Sequence, residues 1–312
     1  MKKVDLNYFP GWVRKSVSFT IDDGNIAMDT RFLDIIKPYG IKGTFNLCSD
    51  RMCSQNPDFY RSFYEGYEIC NHCKEHPFCI SDTAEYNYSD DKFVEETADK
   101  TRVYHAEVDG YFMVYDARRN MWLKYATPEK YVQKIKEGQR ELSDLFGEGK
   151  IRSYAWPYGE QNSVFVKNYL RCESGYYGAR KTGCTEDRHG FNMPTDRMEW
   201  SYNANHQNLL AVMEEYEKYE YDGNIKFFAF GVHSLDFERA GNWHELERFA
   251  KTYGNRSNDY FYASIGEIFD YEDAIKSAEI DGREIINNSS LALFATVDGE
   301  KVTVKANSRL KI

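Results

Sequence analysis

The stretch SVSFTIDDGN, Ser16 to Asn25, decides the fold and poses the first chemical question. Its apolar and β-branched residues predict a buried strand, and this strand ends in two adjacent aspartates, Asp22 and Asp23. Neighbouring carboxylates each raise the cost of ionising the other. An ordinary turn with Gly24 is one explanation. The other is a site that uses both carboxylates.

The composition is that of a globular protein. The 312 residues are 42% hydrophobic and 29% charged, and the net charge is −10. Such a diffuse acidic balance argues against a nucleic-acid partner. No segment reaches the roughly 18 consecutive apolar residues of a membrane span, so no membrane partner is expected. Seven scattered cysteines favour reduced thiols. The N-terminus lacks an apolar leader core, which predicts a cytoplasmic protein or a mature chain whose signal peptide is outside this sequence.

Strands and helices alternate along most of the chain. VSFTI predicts a strand, Thr30–Tyr39 the helix after it, and KGTFNLC the next strand. Later, a helix is predicted over Gln207–Glu220, before the strand IKFFAFGVHS. This alternation favours parallel strands with crossover helices, in an α/β barrel or a doubly wound sheet.

Two regions depart from this alternation and suggest the domain organisation. Residues 81–126 are polar and rich in tyrosine, and GYFMVYDARRNMWLKY within them alternates like a hairpin, which predicts an insertion. The tail has two alternating runs around Asp298-Gly299, a strong hairpin signal. We therefore predict a main α/β domain over 1–276, with an insertion at 81–126, and a small β appendage over 277–312.

Two histidines are candidate metal ligands. In NHCKEHP, His72 and His76 are four positions apart, which on a helical turn brings both imidazoles to one side. With a carboxylate of the aspartate pair they form a set that leaves positions open for water and substrate, as in catalytic zinc sites. Cobalt, nickel, manganese or iron would also suit such a set.

Two later segments place functional groups at strand ends. AWPYG, residues 155–159, follows a strand with a Pro-Tyr-Gly turn, which can aim a backbone N–H at a developing oxyanion. FAFGVHS ends an apolar strand near His233, at the position where an α/β barrel carries catalytic side chains. Packing also explains either segment alone.

TIDDG, NHCKEHP, AWPYG and GVHS, in this order, resemble the motifs of the polysaccharide deacetylase family, carbohydrate esterase family 4. The resemblance covers about Val13 to Tyr271. It implies a distorted (β/α) barrel with fewer than eight strands, a seven-stranded TIM-like fold, with its site at the strand C-termini. The implied activity is metal-dependent hydrolysis of N-acetyl or O-acetyl groups on a poly- or oligosaccharide, with zinc as the first-choice metal.

The resemblance also implies roles for the matched residues. Asp23, His72 and His76 would hold the metal, and Asp22 would be the base that activates a metal-bound water. His233 would be the general acid, and the backbone N–H of Tyr158 would stabilise the oxyanion. Candidate contacts to the acetylated carbohydrate are Pro157, Arg180, Trp200 and His206.

The sequence departs from the family pattern in two places. Ala155 stands where the third motif carries an arginine that is expected to orient the base, and Arg180 in GARKT is a candidate replacement from another strand. Cys73, in the second motif, creates a Cys70-x-x-Cys73 pair, which is an alternative zinc or redox motif. Because of the missing arginine, a catalytically disabled carbohydrate-binding barrel is one alternative function. Hydrolysis of another non-peptide C–N bond in a small molecule is a second.

Overall fold

A computed structural model of the chain describes residues 2–52, 56–87, 92–96, 101–116, 120–159, 161–183 and 190–312. The helices α1 to α8 in these ranges are Ile26–Ile36, Pro57–Phe63, Pro128–Phe146, Val164–Cys172, Leu209–Lys218, Ser234–Ala240, Trp243–Tyr253 and Ile265–Lys276. The strands β1 to β10 are Val4–Asp5, Lys15–Asp23, Thr44–Leu47, Glu68–Asn71, Phe78–Cys79, Glu85–Asn87, Lys92–Glu96, Thr101–Val108, Tyr111–Asp116 and Met121–Ala126. The strands β11 to β19 are Ser153–Ala155, Gly178–Arg180, Lys226–His233, Tyr260–Tyr262, Glu279–Asp281, Glu284–Asn287, Leu293–Val297, Glu300–Val304 and Ser308–Lys311. Short 3₁₀ helices cover Lys37–Tyr39, Ser49–Arg51 and Pro157–Gly159.

Seven parallel strands form the main sheet. Their order is β12-β11-β4-β3-β2-β13, and β14 also pairs with β2. Every pairing in this sheet is parallel, and helices connect its successive strands. The predicted distorted (β/α) barrel with fewer than eight strands is therefore confirmed.

Strand β2 runs through the middle of the core. Val17, Phe19 and Ile21 are fully buried and belong to the largest hydrophobic cluster. Thr20 and Asp22 point to the opposite face, because side chains alternate along a strand, and both are also buried. The strand therefore has no solvent-facing side, and its last residues emerge at the carboxyl edge of the sheet.

Helix α1 begins earlier than the sequence analysis predicts. Asn25 caps it by accepting a hydrogen bond from Met28 N at 3.2 Å. The predicted range Thr30–Tyr39 starts one turn late, because the side chain of Asn25 acts as an N-cap. Helix α5, in contrast, lies within the predicted range Gln207–Glu220.

The predicted insertion contributes to a second sheet. Strands β9 and β10 pair antiparallel, with Trp122 opposite Tyr115, which confirms the predicted hairpin. The sheet contains six strands in the order β5-β10-β9-β8-β7-β6, and β5 pairs parallel with β10. Residues 88–91, 97–100 and 117–119 of the predicted insertion lie outside the described residues.

The tail contains two small three-stranded sheets. Strands β17 and β18 form the predicted hairpin around Asp298-Gly299, and β1 pairs with β17. Strands β15, β16 and β19 form the other sheet. Side chains of the tail, such as Leu293, share a hydrophobic cluster with Phe269 of α8. Across the described part of the chain, no helix combines the length and apolar character needed to cross a membrane.

Candidate active site

Three strands of the barrel bring polar side chains to its carboxyl edge. Strand β2 ends at Asp22 and Asp23, β4 is followed by His72, and β13 ends at His233. The parallel register places His233 directly opposite Asp22. Residues that are distant in sequence therefore meet at one edge, where ligands bind in parallel sheets.

Asp23, His72 and His76 could hold a metal ion. Their candidate ligand atoms all lie within 4.8 Å of one another. The two histidine Nε2 atoms are 3.1 Å apart, and Asp23 Oδ1 lies 3.7 and 3.6 Å from them. This buried oxygen has no hydrogen-bond partner among the described residues. A buried carboxylate oxygen is costly to desolvate unless a donor or a cation completes its shell, so the three residues fit a divalent cation.

The two histidines converge through a tight turn rather than on a helix, which corrects the expected local structure. Cys73, Glu75 and His76 have φ values of 62°, 66° and 46°, in the left-handed region. These conformations reverse the chain between the two imidazoles, whose ring centroids lie 4.7 Å apart. The spacing in the sequence therefore identified the pair, although the assumed helical geometry was wrong.

The protonation of the two histidines suits metal ligation. His72 Nδ1 lies 2.9 Å from the carbonyl oxygen of Ala155, to which it donates in the tautomer that leaves Nε2 as an acceptor. Burial lowers the pKa of His72, and burial together with the neighbouring His72 lowers the pKa of His76 to about 3. Both imidazoles are therefore neutral near pH 7, as metal ligands must be.

Asp22 is buried and held by donors from two other strands. Asn46 Nδ2 donates to Asp22 Oδ1 at 2.6 Å, and Arg180 Nη2 donates to the same oxygen. Burial alone would raise the pKa of Asp22, but the charge of Arg180, with smaller contributions from other groups, holds it well below its usual range. Arg180 is paired with Ala155 in the register of β11 and β12. The candidate replacement for the missing arginine therefore contacts the candidate base.

His233 is oriented by Asp236, three residues further on. Asp236 Oδ2 lies 2.9 Å from His233 Nδ1 and also accepts the backbone N–H of His233 at 3.1 Å. Burial opposes the charged ring, but the hydrogen bond to Asp236 and the charges of Asp22 and Asp23 raise the pKa of His233 to about 9. His233 Nε2 faces the site, 3.9 Å from Asp23 Oδ2. The ring therefore presents a proton to the site near neutral pH.

Tyr158 lies in the turn beside the candidate metal ligands. Its ring is edge-on to that of His76, with centroids 4.4 Å apart. It is 44% exposed and has a φ of 55°. The turn Pro157–Gly159 therefore borders the site, as a turn that supplies an oxyanion donor would have to.

The predicted substrate contacts are less well placed. Trp200 is 5% exposed and lies edge-on to Phe269 at 5.8 Å, and its contact to substrate stays a prediction. Arg180 is 1% exposed and binds Asp22, which gives it a supporting place rather than a surface one. Pro157 is buried and His206 partly exposed, and their contacts to substrate stay predictions.

Three residues at the site were missed in the sequence analysis. Asn46 follows from the register, because it lies opposite Asp22 on β3. Asp236 could have been found from its i, i+3 spacing after His233, which is typical of a helix N-terminal capping box. Arg51 Nη1 binds Asp23 Oδ2 at 2.8 Å from a 3₁₀ turn, and no motif indicates it.

Comparisons with known proteins agree with this architecture. A family model described as polysaccharide deacetylase matches residues 13–176, more than half of the chain. The Bacillus subtilis protein YheN, whose name places it among the polysaccharide deacetylases, is 24% identical over 71% of this chain. The chain spans 58% of the length of that relative.

Two solved structures are similar at low sequence identity. The family 4 carbohydrate esterase from Streptomyces lividans, in complex with acetate, is 14% identical, with a TM-score of 0.42, over 76% of this chain and 86% of that one. The peptidoglycan deacetylase PdaC from Bacillus subtilis is 14% identical, with a TM-score of 0.45, over 85% of this chain and 94% of that one. The family match carries the conclusion: the chain belongs to the polysaccharide deacetylase family.

Proposed function

We propose that the protein is a metal-dependent hydrolase that removes N-acetyl or O-acetyl groups from a poly- or oligosaccharide. The reaction adds water to the acetyl carbonyl, breaks the C–N or C–O bond, and yields acetate and a free amine or hydroxyl. The observation that carries the proposal is the buried Asp23 Oδ1, which faces two histidine Nε2 atoms and has no described donor.

The donor set fits a catalytic rather than a structural metal. Two imidazoles and one carboxylate leave coordination positions open, and a structural zinc site would fill all four. Asp23 Oδ2 is bound to Arg51, so Oδ1 is the oxygen we assign to the metal. A divalent cation held there, zinc by first choice, would act as a Lewis acid on the acetyl carbonyl and make water more acidic.

Asp22 is assigned as the general base. Its lowered pKa keeps the carboxylate ionised at neutral pH, the form in which a general base accepts a proton. Both donors that the structure describes at this residue, Asn46 and Arg180, bind Oδ1. Oδ2 is therefore the oxygen that we assign to the proton of the attacking water.

The oxyanion and the leaving group are assigned to two other elements. The backbone N–H of Tyr158 donates to the oxygen on which negative charge develops. His233 Nε2 then protonates the leaving amine, because Asp236 occupies Nδ1 and the raised pKa keeps the ring charged. Base and acid sit on the adjacent strands β2 and β13, so one carbonyl carbon can lie between them.

The contact between Arg180 and Asp22 supports an enzyme over a disabled binding protein. The missing arginine of the third motif was the reason to consider a barrel that only binds carbohydrate. A guanidinium reaches the candidate base from β12 instead, so the base retains a cationic partner.

Acetate release and metal content test the proposal together. Purified protein loaded with zinc is offered acetylated chitooligosaccharide and acetylated xylan, and we expect one tightly bound metal per chain and release of acetate. Asp22→Asn should retain the metal and lower kcat by about 10²- to 10⁴-fold, the usual contribution of a general base. Its matched neighbour, Asp23→Asn, should lose the metal.

Three outcomes would contradict these assignments. Loss of metal in Asp22→Asn would show that the roles of the two aspartates are reversed. Carbohydrate binding without acetate release, with zinc, cobalt, nickel, manganese or iron, would favour the binding barrel. Turnover of a small amide with no turnover of any acetylated sugar would favour the alternative C–N hydrolase.

A further inference from the structure

Tyr158 has a backbone conformation that a bulky L-residue rarely adopts. Its φ of 55° lies in the left-handed region, where a bulky L-residue is an outlier. Such conformations are strained and persist only when the surroundings impose them. The contacts of Tyr158 should therefore include a group that keeps the turn in place.

The ring of Tyr158 is held by a stack rather than by the barrel alone. It lies parallel to the ring of Phe78, with centroids 3.6 Å apart and an interplanar angle of 4°. On its other side, Phe78 stacks on Tyr125, at 4.8 Å and 20°. Three aromatic rings therefore form a continuous stack that ends at the turn beside the metal ligands.

The stack connects this turn to the second sheet. Phe78 is on β5, and Tyr125 is its paired neighbour on β10. Both side chains are buried, at 7% and 4% exposure, in a small cluster with Phe112 and Val114 of β9. The sheet that contains β5 and β10 thus presents an aromatic surface to Tyr158.

The rest of the turn leaves little freedom once the ring is fixed. Thr182 Oγ1 donates to the carbonyl oxygen of Tyr158 at 3.3 Å, and Gly159 N donates to the carbonyl oxygen of Trp156 at 3.0 Å. A Cβ on Gly159 would lie 1.8 Å from Thr182 Oγ1, so only glycine fits there. Fixing the ring of Tyr158 therefore also fixes the direction of its backbone N–H.

We propose that Phe78 is a positioning residue for catalysis: its ring holds Tyr158 in the left-handed conformation that aims the backbone N–H at the oxyanion. The second sheet then supports the oxyanion donor, and this role does not require the sheet to contact substrate. This inference rests on the proposed function, because it takes the oxyanion role of Tyr158 from there.

A matched pair of variants separates this role from general packing. Phe78→Leu removes the flat ring in contact with Tyr158 and keeps an apolar side chain. Phe112→Leu makes the same change at a residue of the same cluster, which is 5% exposed. Phe78→Tyr keeps the flat ring and serves as the conservative variant.

We expect a change in kcat that the control does not show. Phe78→Leu should lower kcat for acetate release by about 10- to 100-fold with KM within about threefold, because misplacing an oxyanion donor weakens transition-state stabilisation. Phe112→Leu should lower the melting temperature as much as Phe78→Leu does, but should retain the kcat of the parent. Phe78→Tyr should also retain the kcat of the parent. Equal kcat losses in both leucine variants, or none in either, would overturn the inference.

Hydrogen exchange tests the same point without turnover. Exchange at the amides of Tyr158 and Gly159, followed by mass spectrometry, should be faster in Phe78→Leu than in Phe112→Leu or the parent. Unchanged exchange in Phe78→Leu would overturn the inference even if the parent releases acetate. Faster exchange in Phe78→Leu, together with a parent protein that releases no acetate, would leave Phe78 as the residue that holds the turn and would refute the proposed function.

Discussion

An arginine on β11 should restore activity and stability to a variant that lacks the buried arginine of β12. Ala155 and Arg180 are paired in the parallel register, and paired side chains on neighbouring strands point to the same face. Arg180→Ala deprives Asp22 of its cationic partner. Adding Ala155→Arg then places a guanidinium on the neighbouring strand, where the third family motif carries its arginine.

The magnitude follows from the burial of the pair. Arg180 is 1% exposed and Asp22 5% exposed, so Arg180→Ala leaves a buried carboxylate with only Asn46 as described donor. Removing one partner of a buried ion pair costs about 3–5 kcal/mol. We expect the free energy of unfolding to fall by that amount. The control Arg152→Ala breaks a half-exposed pair with Asp270 and should cost at most about 1 kcal/mol.

Urea unfolding and acetate release measure the two effects separately. Arg180→Ala should lose most of its activity while it still binds one metal, because its change lies at the proposed base and not at the proposed metal ligands. The double variant Ala155→Arg/Arg180→Ala should regain a large part of both stability and activity. Two results would refute the role of Arg180: a loss of less than about 1 kcal/mol of unfolding free energy in Arg180→Ala, or a folded, metal-binding double variant that is no more active than Arg180→Ala.

Three further outcomes are expected. Burial raises the pKa of Asp29 to about 6 in the folded protein, so its contribution to stability is full at low pH and is lost as pH rises through about 4 to 6. This loss of unfolding free energy amounts to about 3 kcal/mol. In Asp29→Asn, the urea midpoint of unfolding should therefore depend less on pH between pH 4 and 7 than in the parent. The same pH dependence in both proteins would contradict the raised pKa. His233→Ala should lower turnover of an N-acetyl sugar by at least about 100-fold more than turnover of 4-nitrophenyl acetate, whose leaving group needs no proton; equal losses would exclude His233 as the acid. Gly159→Ala, at a φ of 70° and against Thr182, should lower the unfolding free energy by about 1–3 kcal/mol in a urea titration, and no change would show that the turn can relax.

The sequence predicts the barrel and singles out the candidate ligand set because both depend on local patterns. The run before Asp22 is apolar for the length of a strand, and four short motifs follow one another in the order that the family shows. Asn25 shows the limit of such patterns, since a single capping side chain moved the start of α1 by one turn. The tight turn between His72 and His76 could not be predicted either, because the left-handed residues in it leave no clear sequence signal.

Contacts between distant strands are harder to predict than the motifs themselves. Arg180 could be suggested as a replacement, but only the register of β11 and β12 shows that it stands beside Ala155. Trp200 could be read as a sugar contact because tryptophan suits both a cleft and a core, and only the structure shows that its side chain is 5% exposed. Arg51 lies in the 3₁₀ turn after β3 and meets Asp23 only through the pairing of β2 with β3, so nothing local indicates it.

The pairing of β1 with β17 has a consequence for how the chain is made. Lys3 N donates to Asp298 Oδ1 across 295 positions of sequence, and the indole N–H of Trp12 donates to the carbonyl oxygen of Ala295. A ribosome that adds about 5–20 residues per second completes the partner of this first strand only tens of seconds after the strand itself emerges. Until then β1 lacks the strand with which it pairs. A nascent chain stalled before β17 should therefore leave this segment open to proteases, which a chain that has passed β18 would resist.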